Sequence, residues 1–268
     1  MKDDLFEKKR KSEKRYFDTD LLETVEEVFD RQTILTLFDL MRSRCIKEIK
    51  GVISTGKEAR VYWGTDYEDR EIAIKIYYTL TAEFRRSIWK YLSGDPRYED
   101  LRGLDRRRLI YVWAGKEYSN LKRMIKAGVR VPEPYCRKNN ILVMQFLGEN
   151  GERYPLLKEA YENNMLTKKD LEFIYQDVLN QIIIMIEKAR LIHADLSEYN
   201  IMVKGSTPYI IDVSQAVSID HVNAIDFLRH DLDTINRFFA EAGVDIEYFK
   251  DLYNKIFEVF NEYSIKSV

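Results

Sequence analysis

Glycine is scarce in this chain, with 11 in 268 residues. Glycine-rich loops are the usual way to hold phosphate on backbone amides, and little glycine is on hand for one. Cysteine is scarcer still. Cys45 and Cys136 stand far apart and form neither a CxxC pair nor a disulfide framework, a usage that suits a reducing, cytoplasmic setting. Three histidines leave little scope for a His-rich metal site. Neither sign of charge dominates. Forty-three Lys and Arg face 45 Asp and Glu, a net charge of −2, so any basic surface for nucleic acid must be local. Long apolar runs are missing too. No uncharged apolar stretch reaches the roughly 18 residues of a membrane span, and the charged start lacks a signal-peptide core, so no membrane association is expected. What is present is 45% hydrophobic and 33% charged sequence, the balance of a globular protein with a highly charged surface. The length suits one large domain or two small lobes.

Along the chain the period changes. Residues 1–15 are densely charged, with a basic run at Lys8–Arg15 that reads first as a solvated arm. Leu21, Leu22, Val25, Val28 and Phe29, then Ile34, Leu37, Phe38 and Met41, follow helical spacing, giving two short amphipathic helices. Strand-like ends flank a polar turn in Gly51–Gly64, and Glu71-Ile-Ala-Ile-Lys-Ile-Tyr-Tyr78 is a β-rich run. Ser93–Asp100 has turn composition and high charge, so a mobile insertion is expected over about 82–108. Trp113–Ala127 returns to helical spacing and stops at Gly128. Ile141–Leu147 reads as a buried strand. Beyond it, helices are predicted at Lys168–Ala189, Leu228–Ala240 and Ile246–Tyr263, with a hairpin from Ile201–Val203 to Tyr209–Ile211. The organisation is therefore a helical extension over 1–45, a strand-rich lobe over 46–148 and a helical lobe over 149–268.

Gly51-x-x-x-x-Gly56-Lys57 imitates a Walker A loop. Glu58 stands where Ser or Thr must serve Mg²⁺, and the following residues read as strand, whereas a P-loop opens a helix. Shifted by three residues, Ser54-Thr55-Gly56-Lys-Glu-Ala59-Arg-Val61 fits the G-x-G-x-x-G-x-V frame between two strands, with Ser and Ala in the outer glycine places. Small residues there still allow amides to approach phosphate. Next comes Ala73-Ile-Lys75, the pattern of a V-A-I-K strand. A lysine in an apolar strand is costly unless paired, and phosphate plus a carboxylate are its natural partners. Glu117 and Glu99 are the candidates. Glu117, in an amphipathic helical start, is preferred over Glu99 in the turn-rich loop. Last, His193-Ala-Asp195-Leu-Ser-Glu-Tyr-Asn200 keeps H-x-D-x-x-x-x-N, and Ile211-Asp212 closes the next hairpin. Asp195 is placed to take a proton from an attacking hydroxyl or water, with Asn200 and Asp212 as hard oxygen ligands for Mg²⁺. His193 reads as a scaffold of the turn.

On these motifs the sequence resembles the Rio family of atypical protein kinases, in its first subfamily. The resemblance runs over roughly residues 20–250. It implies an α+β, two-lobed kinase-like fold, with a small β-rich N-lobe and a mostly helical C-lobe, truncated relative to ordinary protein kinases. It implies ATP with Mg²⁺, or Mn²⁺ as the alternative ion. Backbone groups of Gln145 and Leu147 would meet adenine, with Met144 behind. Asp212 would double as metal ligand and phosphoaspartyl acceptor during ATP hydrolysis. A serine kinase and ATPase in maturation of the small ribosomal subunit is implied, with pre-ribosomal particles, rRNA and the protein itself as partners or substrates. Basic clusters at Lys8–Arg15 and Arg102–Arg108 are the local surfaces for such a contact. Departures from ordinary kinases are clear. Asp212-Val-Ser214 replaces Asp-Phe-Gly, and no Ala-Pro-Glu follows. Two other readings stand beside this one. A small-molecule phosphotransferase of the aminoglycoside or choline kinase type also uses H-x-D-x-x-x-x-N. A catalytically dead binding module is the third, against which the retained Lys75, Asp195, Asn200 and Asp212 argue.

Overall fold

The structure is a computed structural model that describes residues 28–78, 82–98, 101 and 103–265. The first predicted helix, Glu99 and the Lys8–Arg15 cluster lie outside the described residues, apart from the helix's last two positions, Val28 and Phe29. Contacts gather the chain into two units, each discontinuous in sequence. The first comprises the described parts of Met1–Arg85, Gly103–Tyr118 and Glu133–Arg153; the second, those of Arg86–Arg102, Ser119–Pro132 and Tyr154–Val268. A single division near Gly148 is thus simpler than what the chain adopts.

In the first unit, helix α1 (Arg31–Arg42) starts where the Asp30 carboxylate accepts the Thr33 N–H at 2.8 Å. Its buried residues Ile34, Leu37, Phe38 and Met41 face a sheet of β1 (Glu48–Thr55), β2 (Ala59–Thr65), β3 (Glu71–Tyr77), β4 (Pro134–Lys138) and β5 (Ile141–Gln145). The sheet is antiparallel, in the order β1-β2-β3-β5-β4. Strand alternation decides what β3 does. Ile72, Ile74 and Ile76 join the core beneath α1, which turns Ala73, Lys75 and Tyr77 to the other face.

Cys45 and Cys136 form a disulfide here, with Cα atoms 6.6 Å apart and a sequence separation of 91. The sequence reading of two unconnected cysteines is corrected. Sequence distance says nothing about neighbours in a sheet, and strand β4 brings Cys136 beside the turn after α1.

The described residues of the expected insertion over about 82–108 carry regular structure. Ala82–Leu92 is helix α2, and a short 3₁₀ turn follows at Pro96–Tyr98. The charges of Ser93–Tyr98 are not solvated: Asp95 is fully buried and pairs with Arg97 at 2.7 Å. Helix α3 (Arg106–Ala127) begins seven residues before the predicted start, because Asp105 accepts the Arg108 N–H at 2.7 Å and caps it.

In the second unit, α4 (Leu157–Glu162) precedes α5 (Lys168–Ile184), which opens on a reciprocal Thr167–Asp170 capping box and passes into a π-turn at Met185–Ala189. Two-residue strands β6 (Gly148–Glu149) and β7 (Glu152–Arg153) close the first unit; β8 (Leu191–Ile192) leads into the second unit's central loop. The hairpin of β9 (Ile201–Lys204) and β10 (Thr207–Ile210) pairs Ile201 with Ile210. Short β11 (Val217–Ser218) pairs back onto β8. Helices α6 (Ala224–Glu241) and α7 (Lys250–Ile265) complete the unit. No helix among the described residues is long and apolar enough to cross a membrane.

Candidate active site

The first unit holds the predicted loop and lysine. Ser54 and Thr55 pair with Val61 and Arg60, and the Gly56 N–H closes the turn on the Ala59 carbonyl at 3.0 Å. All three candidate loop residues are exposed. A Cβ built on Gly56 would meet only the Ala59 carbonyl, at 3.4 Å, an ordinary contact. The turn therefore does not require its glycine sterically, which explains how a chain poor in glycine builds it. Tyr78 N–H bonds the Glu58 carbonyl at 3.0 Å and ties the loop to the end of β3.

Lys75 is 8% exposed, and its Nζ donates to Glu117 Oε1 at 2.8 Å. Glu117, on α3, is 1% exposed, and the Tyr77 hydroxyl donates to its other oxygen. Both carboxylate oxygens are thus occupied by groups from one face of β3. A buried pair of this kind gains little net stability over an apolar pair, but removing one partner strands a charge, at a cost of about 3–5 kcal/mol. Its value is positional: it fixes a cation on a sheet face.

Leu147 is buried, at 4% exposed. Gln145 departs from the expected role in one respect. Its N–H already donates to the Glu133 carbonyl at 2.8 Å, and its side-chain oxygen accepts the Glu133 N–H at 3.3 Å. Only its carbonyl is then suited to an adenine edge.

The second unit holds the three oxygen groups. His193 is 1% exposed, and its Nε2 bonds the Ile211 carbonyl at 3.0 Å, joining the loop to the residue before Asp212. Nε2 is the protonated nitrogen in that bond. Ile211 N–H in turn donates to the Asn200 carbonyl at 3.0 Å. Asn200 Nδ2 donates to the Asp195 carbonyl at 2.7 Å, which commits the nitrogen end of its amide inward and leaves the oxygen end as the cation donor. Ser214 Oγ donates to Asp212 Oδ1 at 3.0 Å. Ala194 and Asp212 both sit at positive φ, 69° and 56°. Each such non-glycine residue costs about 1–3 kcal/mol and persists only where surrounding bonds impose it.

Around Ala194 those bonds come from a side chain of α6. Asp231, 2% exposed, accepts the Ala194 N–H at 2.8 Å and the Leu196 N–H at 2.7 Å, gripping the loop on both sides of Asp195. In sequence, His230, Asp231 and Asp233 read as polarity on a helix face. For Asp231 this is corrected, and the signal was available. Phe227, Leu228 and Ile235 are buried on α6, and Asp231 falls in the same stripe at helical spacing. Burial pushes its carboxyl up to about 7, against the lowering pull of the two N–H bonds.

Asp195 is also raised, first by burial and then by the Asp212 charge, with His230, Lys90 and a Gln215 hydrogen bond pulling it down. A raised carboxyl beside a second carboxylate is suited to accept a proton, and the pair calls for a cation. The donor set fits Mg²⁺, which takes few protein oxygens and completes its shell with water and phosphate. Among the described residues no group of three or more His, Cys, Asp or Glu could hold a metal ion alone.

Comparison with known proteins gives consistent results. A family model described as RIO domain matches residues 60–252. Serine/threonine-protein kinase RIO1 of Caenorhabditis elegans is 41% identical over 234 residues, covering 87% of this chain and 45% of that protein. The RIO-type serine/threonine-protein kinase Rio1 of Haloferax volcanii is 36% identical over 233 residues, covering 87% of this chain and 77% of that protein. The chain spans less than half the length of the nematode and slime-mould relatives it matches, 45% and 43%. A solved structure of the Rio2 kinase-ADP/Mg²⁺-phosphoaspartate complex from Chaetomium thermophilum aligns with a TM-score of 0.59 at 22% identity, over 87% of this chain and 76% of that one. At that identity the likeness is one of fold, a kinase-like fold.

Proposed function

The chain belongs to the RIO domain family, on its Rio1 branch, and from that footing we propose that it is an ATP-dependent atypical serine/threonine protein kinase and ATPase acting in small ribosomal subunit maturation. One observation carries the reading. The loop around Asp195 commits the Ala194 and Leu196 N–H groups to Asp231 and the Asn200 amide nitrogen to the Asp195 carbonyl, and the Asp212 charge is felt at the Asp195 carboxylate.

In this reading Lys75, fixed by Glu117, supplies a cation for phosphate oxygens. Asn200 and Asp212 hold Mg²⁺. Bound Mg²⁺–ATP supplies a transferable phosphoryl group with its charge neutralised. Asp195 orients the attacking hydroxyl and takes its proton, a role suited to a carboxyl raised by burial and by the Asp212 charge. Asp212 is the residue we assign as phosphoryl acceptor in hydrolysis, by likeness to the phosphoaspartate in the solved Rio2 complex. Protein substrates include the chain itself, and pre-small-subunit particles with their rRNA are the assigned partner. The basic surface for that contact is weaker than the sequence suggests. Arg107 pairs with Asp30 at 3.0 Å and Arg108 with Asp105 at 3.8 Å.

The test is Mg²⁺-dependent ATP turnover by purified protein alone, with small alcohols and aminoglycosides, and with small ribosomal subunits. Turnover alone that rises with subunits is the expected result. Stimulation by a small alcohol only would replace this reading with a small-molecule phosphotransferase, and no turnover anywhere would end both.

A further inference from the structure

The segment after Asp212 has little regular structure to hold it. Strand β11 is two residues long, and Val213–Ala216 has no strand partner. Its buried backbone groups are met instead by side chains from two remote stretches. Asn120, on the last turns of α3, is fully buried, and its Nδ2 donates to the carbonyls of Val213 at 2.8 Å and Ala216 at 2.9 Å. An amide can aim its nitrogen that way only if its oxygen is held on the other side. Arg97 Nη1 does this, donating to Asn120 Oδ1 at 2.8 Å.

Arg97 is itself held. Its Nε and Nη2 form a fork on the Asp95 carboxylate at 2.9 and 2.7 Å, while Nη2 also reaches the Ala216 carbonyl at 3.3 Å. Asp95, 0% exposed, accepts the Ser218 N–H at 3.1 Å. Burial pushes its carboxyl up, but the Arg97 fork and the N–H bonds of Arg97 and Ser218 outweigh this and keep it below the ordinary range. Gly94 continues the contact. Its carbonyl accepts the Val222 N–H at 3.2 Å, and at φ +89° a Cβ there would lie 2.5 Å from Val222 Cγ2.

The geometry points to Asp95, Arg97 and Asn120 as positioning residues for Asp212: a polar clamp that sets the Val213–Ser218 segment and so where the metal-binding carboxylate stands. The charged insertion is then a working part of the metal site and not a solvated loop. Three charged or amide side chains with no role in binding substrate are satisfied by one another and by three backbone groups of a single segment. A merely stabilising contact does not need that convergence, and partners one step behind a metal ligand commonly govern its affinity. The inference rests on the kinase reading for its catalytic consequence, but not for the clamp itself.

Two measurements on Arg97→Lys, Arg97→Ala and Asn120→Ala separate the possibilities. Amide hydrogen exchange in the peptide spanning Val213–Ser218 reads the clamp without reference to activity. The Mg²⁺ concentration for half-maximal ATP turnover, set beside nucleotide binding in EDTA, reads its effect on Asp212. Faster exchange in that peptide, together with a Mg²⁺ midpoint raised about 10–100-fold and unchanged metal-free nucleotide binding, is expected for Arg97→Ala and Asn120→Ala. Arg97→Lys keeps the charge against Asp95 but loses the fork, so it should fold and fall between. Should the alanine variants fail to fold, Arg97→Lys decides alone. Unchanged exchange overturns the clamp. Faster exchange with an unchanged Mg²⁺ midpoint overturns its link to Asp212. An inactive wild type removes the kinase reading while exchange still tests the clamp.

Discussion

The two units solve opposite electrostatic problems. In the first, Lys75 and Glu117 neutralise each other in a nearly dry place, with Tyr77 filling the remaining carboxylate oxygen. In the second, burial and the neighbouring Asp212 charge raise the Asp195 carboxyl, and burial and the Asp195 charge raise that of Asp231, with Lys90 offsetting this only in part. One unit pairs its buried charges, whereas the other holds two raised carboxyls, Asp195 and Asp231, on one loop and helix. That difference explains why the first reads as a rigid cradle and the second as the site that calls for a metal. It also makes the two respond differently to mutation, pH and redox conditions.

The largest difference should come from breaking the balanced pair. Glu117→Gln leaves Lys75 buried without its counter-charge, and a loss of about 3–5 kcal/mol in the first unit is expected. Denaturant unfolding measures it; a change below about 1 kcal/mol would mean that the pair is as weak as a surface one. Lys75→Met with Glu117→Leu removes both charges and should recover most of the loss.

A smaller effect, of opposite character, belongs to the second unit. Asp231 is held near 7 in the folded chain, against an unfolded value near 3.8. The unfolded chain ionises it first, so its contribution is fully present below about pH 4, is lost as pH rises from about 4 to about 7, and is flat above that. Asp231→Asn should abolish this slope, leaving the remainder of the stability–pH profile in place. Identical slopes for wild type and variant would show that the Ala194 and Leu196 N–H bonds hold the carboxylate ionised throughout.

The smallest effect is on the disulfide. Reduction of Cys45–Cys136 opens a loop of 91 residues, and a loss of about 2–4 kcal/mol confined to the first unit is expected. Thermal unfolding with and without a phosphine reductant checks it. A Cys45→Ser variant should show the lowered stability and no further response to reductant.

The sequence picked out residues that each unit brings together, Lys75 with Glu117 and Asp195 with Asn200 and Asp212, but not what holds them. Lys75 was legible because a lysine among isoleucines demands a partner, and Glu117 because it stands on a helical face. Asp195, Asn200 and Asp212 were legible by spacing alone. Asp231 was visible in the apolar stripe of α6 and was misjudged as surface polarity, since acids rarely occupy such a stripe. The Asp95–Arg97–Asn120 clamp was not legible. High local charge looks the same in sequence whether it is solvated or folded onto a distant backbone. Cys45 and Cys136 were missed for a related reason, because strand order, not chain separation, makes them neighbours.

Nucleotide binding with and without Mg²⁺ in wild type, Asp195→Ala and Asp212→Ala, set beside phosphoryl transfer from labelled ATP, tests the division of labour most directly. Asp195→Ala should bind Mg²⁺–ATP as the wild type does and lose transfer by about a thousandfold or more. Asp212→Ala should lose transfer and the Mg²⁺-dependent part of nucleotide binding together. Unimpaired transfer in Asp195→Ala, or an unchanged Mg²⁺ dependence in Asp212→Ala, would contradict the assignment of base and metal ligand.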